Sequence, residues 1–398
     1  MHRTMRRLVV PLVGLALIGA ACTSDDDDSG DSGDTEPAET EAAADTEAPA
    51  ETDAETEEPA ETEAPAETDE VEVTQSDGGT LAAVQSAGEL KCGTRDALAG
   101  FAVLTPEGDH EGFDSDFCRV IAAAVLGDAE AVNHVDLETA DRFTALQSGE
   151  VDVLVRNTTW TATRDGAEGA TFLQTTLYDG QGMMVASDSG FSSLADMDGV
   201  IVCVAQGTTT EGNAATEADR LGLDWEIRAF ESNELIQEAF VAGQCDGWSA
   251  DGAALVGERA AYPDGPDALT ILPEVFSKEP LGPVVRDGDS EWAQAVNWAI
   301  FATIQAEEFG ITSENIADFA DTDDLGIQRF LGLEVEGDDG AAVLDPGLGL
   351  PTDFASQVVS QVGNYAEIFD RHLAPLGLER GVNALWTDGG LMYAPPYR

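Results

Sequence analysis

The sequence predicts an α/β protein of two lobes, each a mostly parallel β-sheet flanked by helices, joined by a two-segment hinge. Short apolar runs typical of buried strands alternate with helical patterns, and this alternation favours parallel βαβ units. The alternation runs twice, once before Tyr178 and once after Ala186. Extended stretches near residues 178–185 and 273–284 would carry the chain across and back. Two such crossings predict a hinge, with the cleft between the lobes as the natural ligand site.

The first round of elements follows from hydrophobic spacing. "TLAAVQSAGEL" predicts a helix, "KCGTR", "AVNHVDL" and "VDVLV" predict strands, and "ADRFTALQSGE" predicts a helix that stops near Gly149. "GFDSDFCRVIAAAVLG" predicts an amphipathic helix, because its apolar residues recur at helical spacing. These residues are Phe117, Val120, Ile121, Ala124 and Val125.

The second round repeats the pattern. "LADMDGVIVCVAQGTTTEGNAATEADRLGL" predicts a helix, a strand, a loop and a helix, and "WEIRAF", "ESNELIQEAFVAGQ" and "CDGWSAD" predict a strand, a helix and a strand. "SEWAQAVNWAIFATIQAEEFG" predicts a long helix with one apolar side. That side comprises Trp292, Val296, Ala299, Ile300 and Ile304.

These patterns divide the folded part of the chain. We predict that the first lobe comprises residues 80–180 and, after the return crossing, residues 279–320. The second lobe comprises residues 181–278, and residues 321–398 form a C-terminal extension. A chain of 398 residues is long enough to give each lobe its own core.

The N-terminus has the pattern of an export signal over residues 1–21. A basic segment, "MHRTMRR", precedes the apolar run "LVVPLVGLALI", and small residues follow in "GAAC", which ends at Cys22. This arrangement resembles a bacterial lipoprotein signal, which implies a lipid on Cys22 and anchoring to the outer face of the cytoplasmic membrane. The alternative is an ordinary secretory signal, since Gly19 stands where the usual leucine would precede the cysteine.

Residues 22–79 form an acidic, low-complexity segment that we expect to be a disordered linker. It repeats Glu, Thr, Ala and Pro with almost no large apolar residues, so it cannot offset the entropy of ordering. An extended tether and an acidic interaction tail are the two interpretations. The formal net charge of −60 argues against nucleic acid as a partner, because phosphate would be repelled.

Four further cysteines, Cys92, Cys118, Cys203 and Cys245, suggest two disulfides in an exported chain. Three pairings are possible. We favour Cys92–Cys118 and Cys203–Cys245, because each pair then lies within one predicted lobe. A zinc site is the alternative, but CxxC spacing is lacking, and we expect no metal or cofactor.

Hydrogen-bonding side chains follow the strand "VDVLV", where ligands of parallel sheets bind. Asn157, Thr159 and Trp160 come directly after it, and Arg164 lies near the start of the next helix. An arginine there would grip a carboxylate with two parallel hydrogen bonds. The alternative for Arg164 is a surface arginine, and Arg156 has no assigned role.

Two loops of the second lobe add complementary groups. In "VIVCVAQGTTTEGN", Thr209 and backbone N–H groups could donate to a carboxylate, although Thr208 and Glu211 also have the spacing of a capping box. In "CDGWSAD", the carboxylate of Asp246 or Asp251 could hold an ammonium group, or each could be a solvated surface residue. Hydrogen-bond donors that bind an anion, together with a carboxylate that binds an ammonium group, suit the zwitterion of an α-amino acid.

The chain resembles the polar and general amino-acid type of solute-binding protein, which serves ABC importers. The resemblance is carried by "RFTALQSGEVDVLVRNTTWTATRD", "VCVAQGTTTE", "ILPEVFSKEPLGPVVR" and "NALWTDGGLMYAPPYR", the last typical of the general L-amino-acid-binding subgroup. It covers residues 88–398 and implies a type II periplasmic-binding-protein fold. It also implies a free L-amino acid and ABC permease membrane subunits as partners, and we expect a monomer.

The resemblance places the ligand carboxylate on Arg164, assisted by Thr159, Thr208 and Thr209. It places the α-ammonium group on Asp251. These implied roles agree with the groups that the residues themselves suggest.

The resemblance also assigns the remaining pocket positions. Asn157 would help Asp251 with the ammonium group. Leu98 and Trp160 would line the side-chain pocket. Arg95 and Leu98 stand where relatives that prefer basic amino acids have an acidic and an aromatic residue, which argues against a cation-selective pocket.

Two other classes of function were weighed. Some two-lobe proteins of this type are dehydratases, but neither a GxSxG nor an HExxH motif occurs here. We therefore predict that the protein is not an enzyme. A sensory binding module on the same fold is the other alternative.

Overall fold

A computed structural model describes residues 79–337 and 340–397. The predicted signal peptide and Cys22 lie outside the described residues, as does the predicted linker except for its last residue. Within these two ranges, every helix is too short or too polar to cross a membrane.

The described residues form strands of two to six residues. They are β1 (Leu90–Thr94), β2 (Ala97–Leu98), β3 (Ala102–Leu104), β4 (His110–Glu111), β5 (Val132–Asp136), β6 (Val153–Leu154), β7 (Ala170–Phe172), β8 (Leu177–Asp179), β9 (Gln181–Ala186), β10 (Ile201–Ala205), β11 (Glu226–Phe230), β12 (Gly247–Asp251), β13 (Leu269–Ile271), β14 (Glu279–Leu281), β15 (Val284–Arg286), β16 (Glu334–Gly337) and β17 (Gly340–Val343).

The α-helices alternate with these strands. They are α1 (Gly79–Ala87), α2 (Phe113–Leu126), α3 (Arg142–Ser148), α4 (Ala162–Ala167), α5 (Thr209–Leu221), α6 (Asn233–Val241), α7 (Gly252–Ala260), α8 (Ser290–Phe309), α9 (Leu325–Leu331), α10 (Phe354–Gln361) and α11 (Tyr365–His372).

Two five-stranded sheets share one pattern, which confirms the two-lobe α/β fold. The first has the order β5-β1-β6-β15-β7 and the second β11-β10-β12-β9-β13. In each, three parallel strands are followed by one strand that pairs antiparallel on both sides, β15 or β9. The parallel character is therefore limited to three strands per sheet. Both antiparallel strands directly follow a crossing, so each enters its lobe from the hinge and runs against its neighbours.

The hinge is a two-stranded antiparallel ribbon of β8 and β14. Its register pairs Leu177 with Leu281 and Asp179 with Glu279. Both strands fall within or next to the two crossings that the sequence predicts.

The helix α2 shows how the sequence positions the first lobe. All five predicted apolar residues of α2 are buried, and Gly127 ends it in the left-handed conformation at φ 73°. Disulfides join Cys92 to Cys118 and Cys203 to Cys245, which confirms the favoured pairing. The first of these fixes α2 to β1, the second strand of the first sheet.

The C-terminal extension packs on the first lobe, where α10 lies against α2 and α8. Asp116 in α2 accepts hydrogen bonds from Arg371 and, at 2.6 Å, His372 of α11. The extension also reaches the hinge, because the Asn383 amide accepts from the backbone N–H of Tyr178 at 2.7 Å and donates to its carbonyl at 3.0 Å.

Removal of the Cys92–Cys118 disulfide should destabilise the protein without changing its fold. The bridge closes a loop with a sequence separation of 26 residues, and in the chain-entropy account such a bridge stabilises by about 3 kcal/mol. Urea unfolding of the Cys92→Ala, Cys118→Ala double variant measures the loss. An unchanged unfolding midpoint in the oxidised proteins would contradict this role.

Candidate functional site

A cavity of ≈ 450 Å³ lies between the two lobes, at the ends of strands from both sheets. The first lobe contributes mostly arginine, threonine and asparagine, and the second contributes threonine, small residues and one carboxylate. The lining residues are Arg95, Thr139, Arg142, Arg156, Asn157, Thr159, Arg164, Ala205, Thr208, Thr209, Thr210, Asn233, Ala250, Asp251 and Ala254.

Arg164 supplies a buried guanidinium to this cavity. It lies in α4, whose first turn is held by Thr161, and its Nη1 donates to the Thr159 carbonyl at 2.9 Å. Only 9% of its surface is exposed. Burial lowers the pKa of Arg164, and the nearby carboxylates of Asp251 and Glu279 oppose that shift. The side chain is thus fixed in place, with donors available to an anion.

Asp251 supplies the opposite charge from the second lobe. It ends β12 and precedes α7, and it is buried. Burial and the neighbouring carboxylates of Asp179 and Glu279 raise the pKa of Asp251 to about 8, although Arg164 and Asn157 oppose the shift. A cation placed here would remove the electrostatic penalty on the carboxylate.

Asn157 connects the two lobes through its amide. Its Nδ2 lies 3.5 Å from Asp251 Oδ2, and its Oδ1 accepts from Arg95 Nη1 at 3.2 Å. Its backbone N–H donates to Asp114 at 2.8 Å, and its φ of 33° is left-handed, a conformation that asparagine tolerates better than most residues.

The start of α5 differs from the sequence expectation. The capping box that the spacing of Thr208 and Glu211 would allow does not form, because the Thr208 hydroxyl donates to the Ala205 carbonyl at 2.6 Å and makes no capping hydrogen bond to the helix. Thr209 donates its hydroxyl to Glu279 at 3.0 Å. The first backbone N–H groups of this 13-residue helix therefore remain available to an anion in the cavity.

Two hinge carboxylates were missed by sequence reasoning. Glu279 is 2% exposed and accepts from Thr209, Asn213 and Ser277. Asp179 accepts from the backbone N–H of Ala253 at 2.9 Å, in the first turn of α7. The only available signal was the presence of acidic residues within otherwise extended crossing segments.

Trp160 and Leu98 lie outside the set of residues that line the cavity. Trp160 is 43% exposed and stacks on Phe172, with ring centroids 6.0 Å apart. Thr159 bridges to Leu281 in an extended segment, so the next side chain points to the opposite face. Leu98 is fully buried in the core of the first lobe, as is Phe101. The side-chain pocket roles of Trp160 and Leu98 therefore stay a prediction, since neither residue lines this cavity.

Asp246 also lies away from the cavity. It is exposed, and its Oδ2 accepts from the backbone N–H of Ile201 at 2.9 Å. Of the two carboxylates that the sequence offers in "CDGWSAD", Asp251 is the one at the cavity.

The chain matches the family of bacterial extracellular solute-binding proteins, family 3, over residues 90–315. It is 44% identical to the general L-amino acid-binding periplasmic protein AapJ of Rhizobium johnstonii, over 80% of this chain and 93% of that protein. It is 45% identical to the glutamate/glutamine/aspartate/asparagine-binding protein BztA of Rhodobacter capsulatus, over 80% of this chain and 93% of that protein.

A solved structure is similar over most of the described chain. It is an ABC transporter periplasmic binding protein from Brucella ovis with glutathione bound, 42% identical, with a TM-score of 0.76. The match covers 80% of this chain and 99% of that chain.

Asp251→Asn should make the ligand-free protein less sensitive to rising pH. Because the pKa of Asp251 is raised to about 8 in the folded protein, folding takes up a proton between about pH 4 and pH 8, and stability is lost across that interval. We expect the free energy of unfolding of the variant, relative to that of wild type, to rise by about 1–3 kcal/mol from pH 5 to pH 8. Urea unfolding at both pH values measures this.

Asp219→Asn, an exposed position on α5, is the matched control and should show no such gain. If Asp251→Asn and wild type differed in free energy of unfolding by the same amount at both pH values, Asp251 would not be a buried, protonated carboxyl.

Proposed function

Because the chain belongs to the bacterial extracellular solute-binding proteins of family 3, we propose that it captures an L-amino acid between its lobes and delivers it to an ABC import permease. One observation carries the proposal. A buried guanidinium from one lobe and a buried carboxylate from the other, Arg164 and Asp251, line the same cavity.

The two charges suit the two ends of an α-amino acid. Arg164, Thr159 and the backbone N–H groups at the start of α5, at Thr208 and Thr209, donate to the α-carboxylate. Asp251 accepts from the α-ammonium, with the Asn157 carbonyl oxygen within reach if the amide releases Arg95. Charge-assisted hydrogen bonds contribute about 1.5–3 kcal/mol each, so a few of them support micromolar affinity after ordering losses.

Ligand binding would favour the closed arrangement of the lobes. The carboxylate donors and the ammonium acceptor come from different sheets, so a zwitterion completes contacts to both lobes only when the lobes meet. The closed face then docks on the membrane subunits of the permease, which release the ligand as ATP is hydrolysed elsewhere.

Export and a lipid anchor complete the proposal. The word "periplasmic" in the name of AapJ supports export of this chain, and the N-terminal pattern ending at Cys22 supports lipid attachment. The acidic residues 22–79 would then serve as a tether that holds the binding domain away from the membrane.

Binding without catalysis is the activity we infer. The relatives at 44% and 45% identity are named as binding proteins. The carboxylate and ammonium groups of an amino acid account for Arg164 and Asp251 as binding residues. Neither residue then has to be given a catalytic role.

Arg164→Gln should weaken the binding of all amino acids by a similar factor, because it removes the charge-assisted hydrogen bonds to the α-carboxylate that they share. We expect a loss of about 10- to 100-fold in affinity, from the usual strength of a charge-assisted pair. Isothermal titration calorimetry with glutamate, glutamine and leucine measures it.

Arg220→Gln is the matched control, since Arg220 lies on α5 and pairs with Glu217 away from the cavity. Wild-type affinity in Arg164→Gln for all three ligands would refute the carboxylate assignment. Absence of binding by wild type to any of the amino acids would refute the proposed function.

Cys22→Ser should release the protein from the cell. The thiol is the atom that carries the lipid in the proposed anchor, so the variant should lose incorporation of radiolabelled palmitate and pass into the soluble fraction. A variant with Cys22 intact but Gly19→Leu should remain anchored. Equal retention of Cys22→Ser and wild type in the membrane fraction would count against the anchor.

A further inference from the structure

The cavity contains more positive charge than one carboxylate needs. Arg95, Arg142 and Arg156 line it together with Arg164. Across residues 79–337 and 340–397, none of these guanidinium groups lies within ion-pairing distance of a carboxylate. An anion in the cavity would therefore find several unpaired donors on one wall.

Of these three arginines, Arg142 gives the strongest evidence for an anion-binding position. It is 4% exposed, and its buried Nε has no hydrogen-bond partner within the described part of the chain. Its guanidinium carbon lies 5.3 Å from the centre of the Phe143 ring, and that of Arg164 lies 5.8 Å from the same ring. An unpaired, buried charge is costly, and an anionic ligand would offset that cost.

Burial also weakens the charged state of these arginines. Burial and the positive charges of Arg164 and Arg95 together lower the pKa of Arg142 to about 9. Burial and the same kind of repulsion from Arg95 and Arg142 lower the pKa of Arg156. A bound anion would reduce both effects.

Arg156 and Arg95 are held in place by neutral groups. Arg156 donates from Nε to the Leu137 carbonyl at 2.8 Å and from Nη2 to the Thr139 hydroxyl at 3.0 Å. Arg95 donates to the Asn157 amide oxygen at 3.2 Å. These bonds fix the orientation of the side chains without neutralising their charge.

Two buried acids near this wall, Asp114 and Glu258, are held by other groups. Burial raises the pKa of Asp114 to about 7, and its nearest bond is to the Asn157 backbone. Burial raises the pKa of Glu258 to about 7 as well, and its carboxyl accepts from Asn233 at 2.6 Å. Neither pairs directly with an arginine.

We propose that Arg142, with Arg95 and Arg156, forms a second anion subsite that binds a carboxylate on the side chain of the amino-acid ligand. The subsite rests on the proposed function, with Arg164 holding the α-carboxylate. Its ligand class is an α-amino acid that carries a second carboxylate. A neutral amide would satisfy hydrogen bonds but leave the charge in place, and a cationic side chain would be repelled.

The second carboxylate of the ligand is expected close to the α-carbon. A second cavity shares Arg95, Thr139 and Arg156 with the first, but four acidic residues also line it, Asp96, Asp136, Glu138 and Glu234. Their carboxylates would repel a ligand carboxylate placed farther along this cavity. An acidic amino acid therefore places its side-chain carboxylate at Arg142.

Calorimetry on the purified protein, with glutamate, glutamine, leucine and glutathione as probes, tests the subsite. Wild type should bind glutamate about 10- to 100-fold more tightly than glutamine, since the two differ in one charge. Arg142→Gln should remove this preference while leaving glutamine within about threefold of wild type. Arg220→Gln should change neither affinity, and thermal unfolding confirms that each variant folds.

Three results would contradict the proposed subsite. An equal loss of glutamate and glutamine in Arg142→Gln would overturn the subsite, because it would place Arg142 on the shared part of the ligand. Equal wild-type affinity for glutamate and glutamine would also overturn it while leaving amino-acid binding intact. Tighter binding of glutathione than of glutamate by wild type would likewise overturn it, because the second carboxylate would then lie beyond Arg142, among the acidic residues of the second cavity.

Discussion

The site depends on a buried guanidinium and a buried carboxyl that face the same cavity from opposite lobes. Arg164 and Asp251 are each less than one tenth exposed, and they form no ion pair with each other in the described structure. A buried charge without an oppositely charged partner is unfavourable in a protein interior, so the Asp251 carboxyl, whose pKa is raised to about 8, ionises at neutral pH only when a cation is placed beside it. The surrounding hydrogen bonds reduce that penalty only in part, which leaves the site complementary to a zwitterion.

The hinge takes part in this electrostatic arrangement as well as connecting the lobes. Glu279 in β14 accepts from Thr209 at the start of α5, and Asp179 in β8 accepts from the first turn of α7. Both helices begin at the cavity. The hinge acids therefore orient α5 and α7, and their negative charge also raises the pKa of Asp251. A change at the hinge thus reaches the binding residues through hydrogen bonds and through charge.

Hydrophobic spacing predicted the parts of the structure that local sequence controls. The buried faces of α2 and α8, the alternation of strands and helices, and the two disulfides follow from residues that are near in the chain or fixed by lobe membership. Positions that depend on distant contacts could not be predicted from the sequence. Trp160 lies outside the cavity because Thr159, its neighbour in the chain, pairs with Leu281 of the hinge. Glu279 acquires its partners only after two distant segments meet.

The contact between Asn383 and Tyr178 has a mechanical consequence. The asparagine amide bonds to both the N–H and the carbonyl of one residue, as a neighbouring strand would, on the edge of β8 that does not face β14. Trp160 makes a similar backbone bond to Pro280 at 2.9 Å on the other strand. Both hinge strands are thereby attached to the lobe that carries the C-terminal extension. A closing motion of the lobes would therefore turn about the short links on the far side, next to Gly180 and Ser277, with the larger lobe as the fixed base.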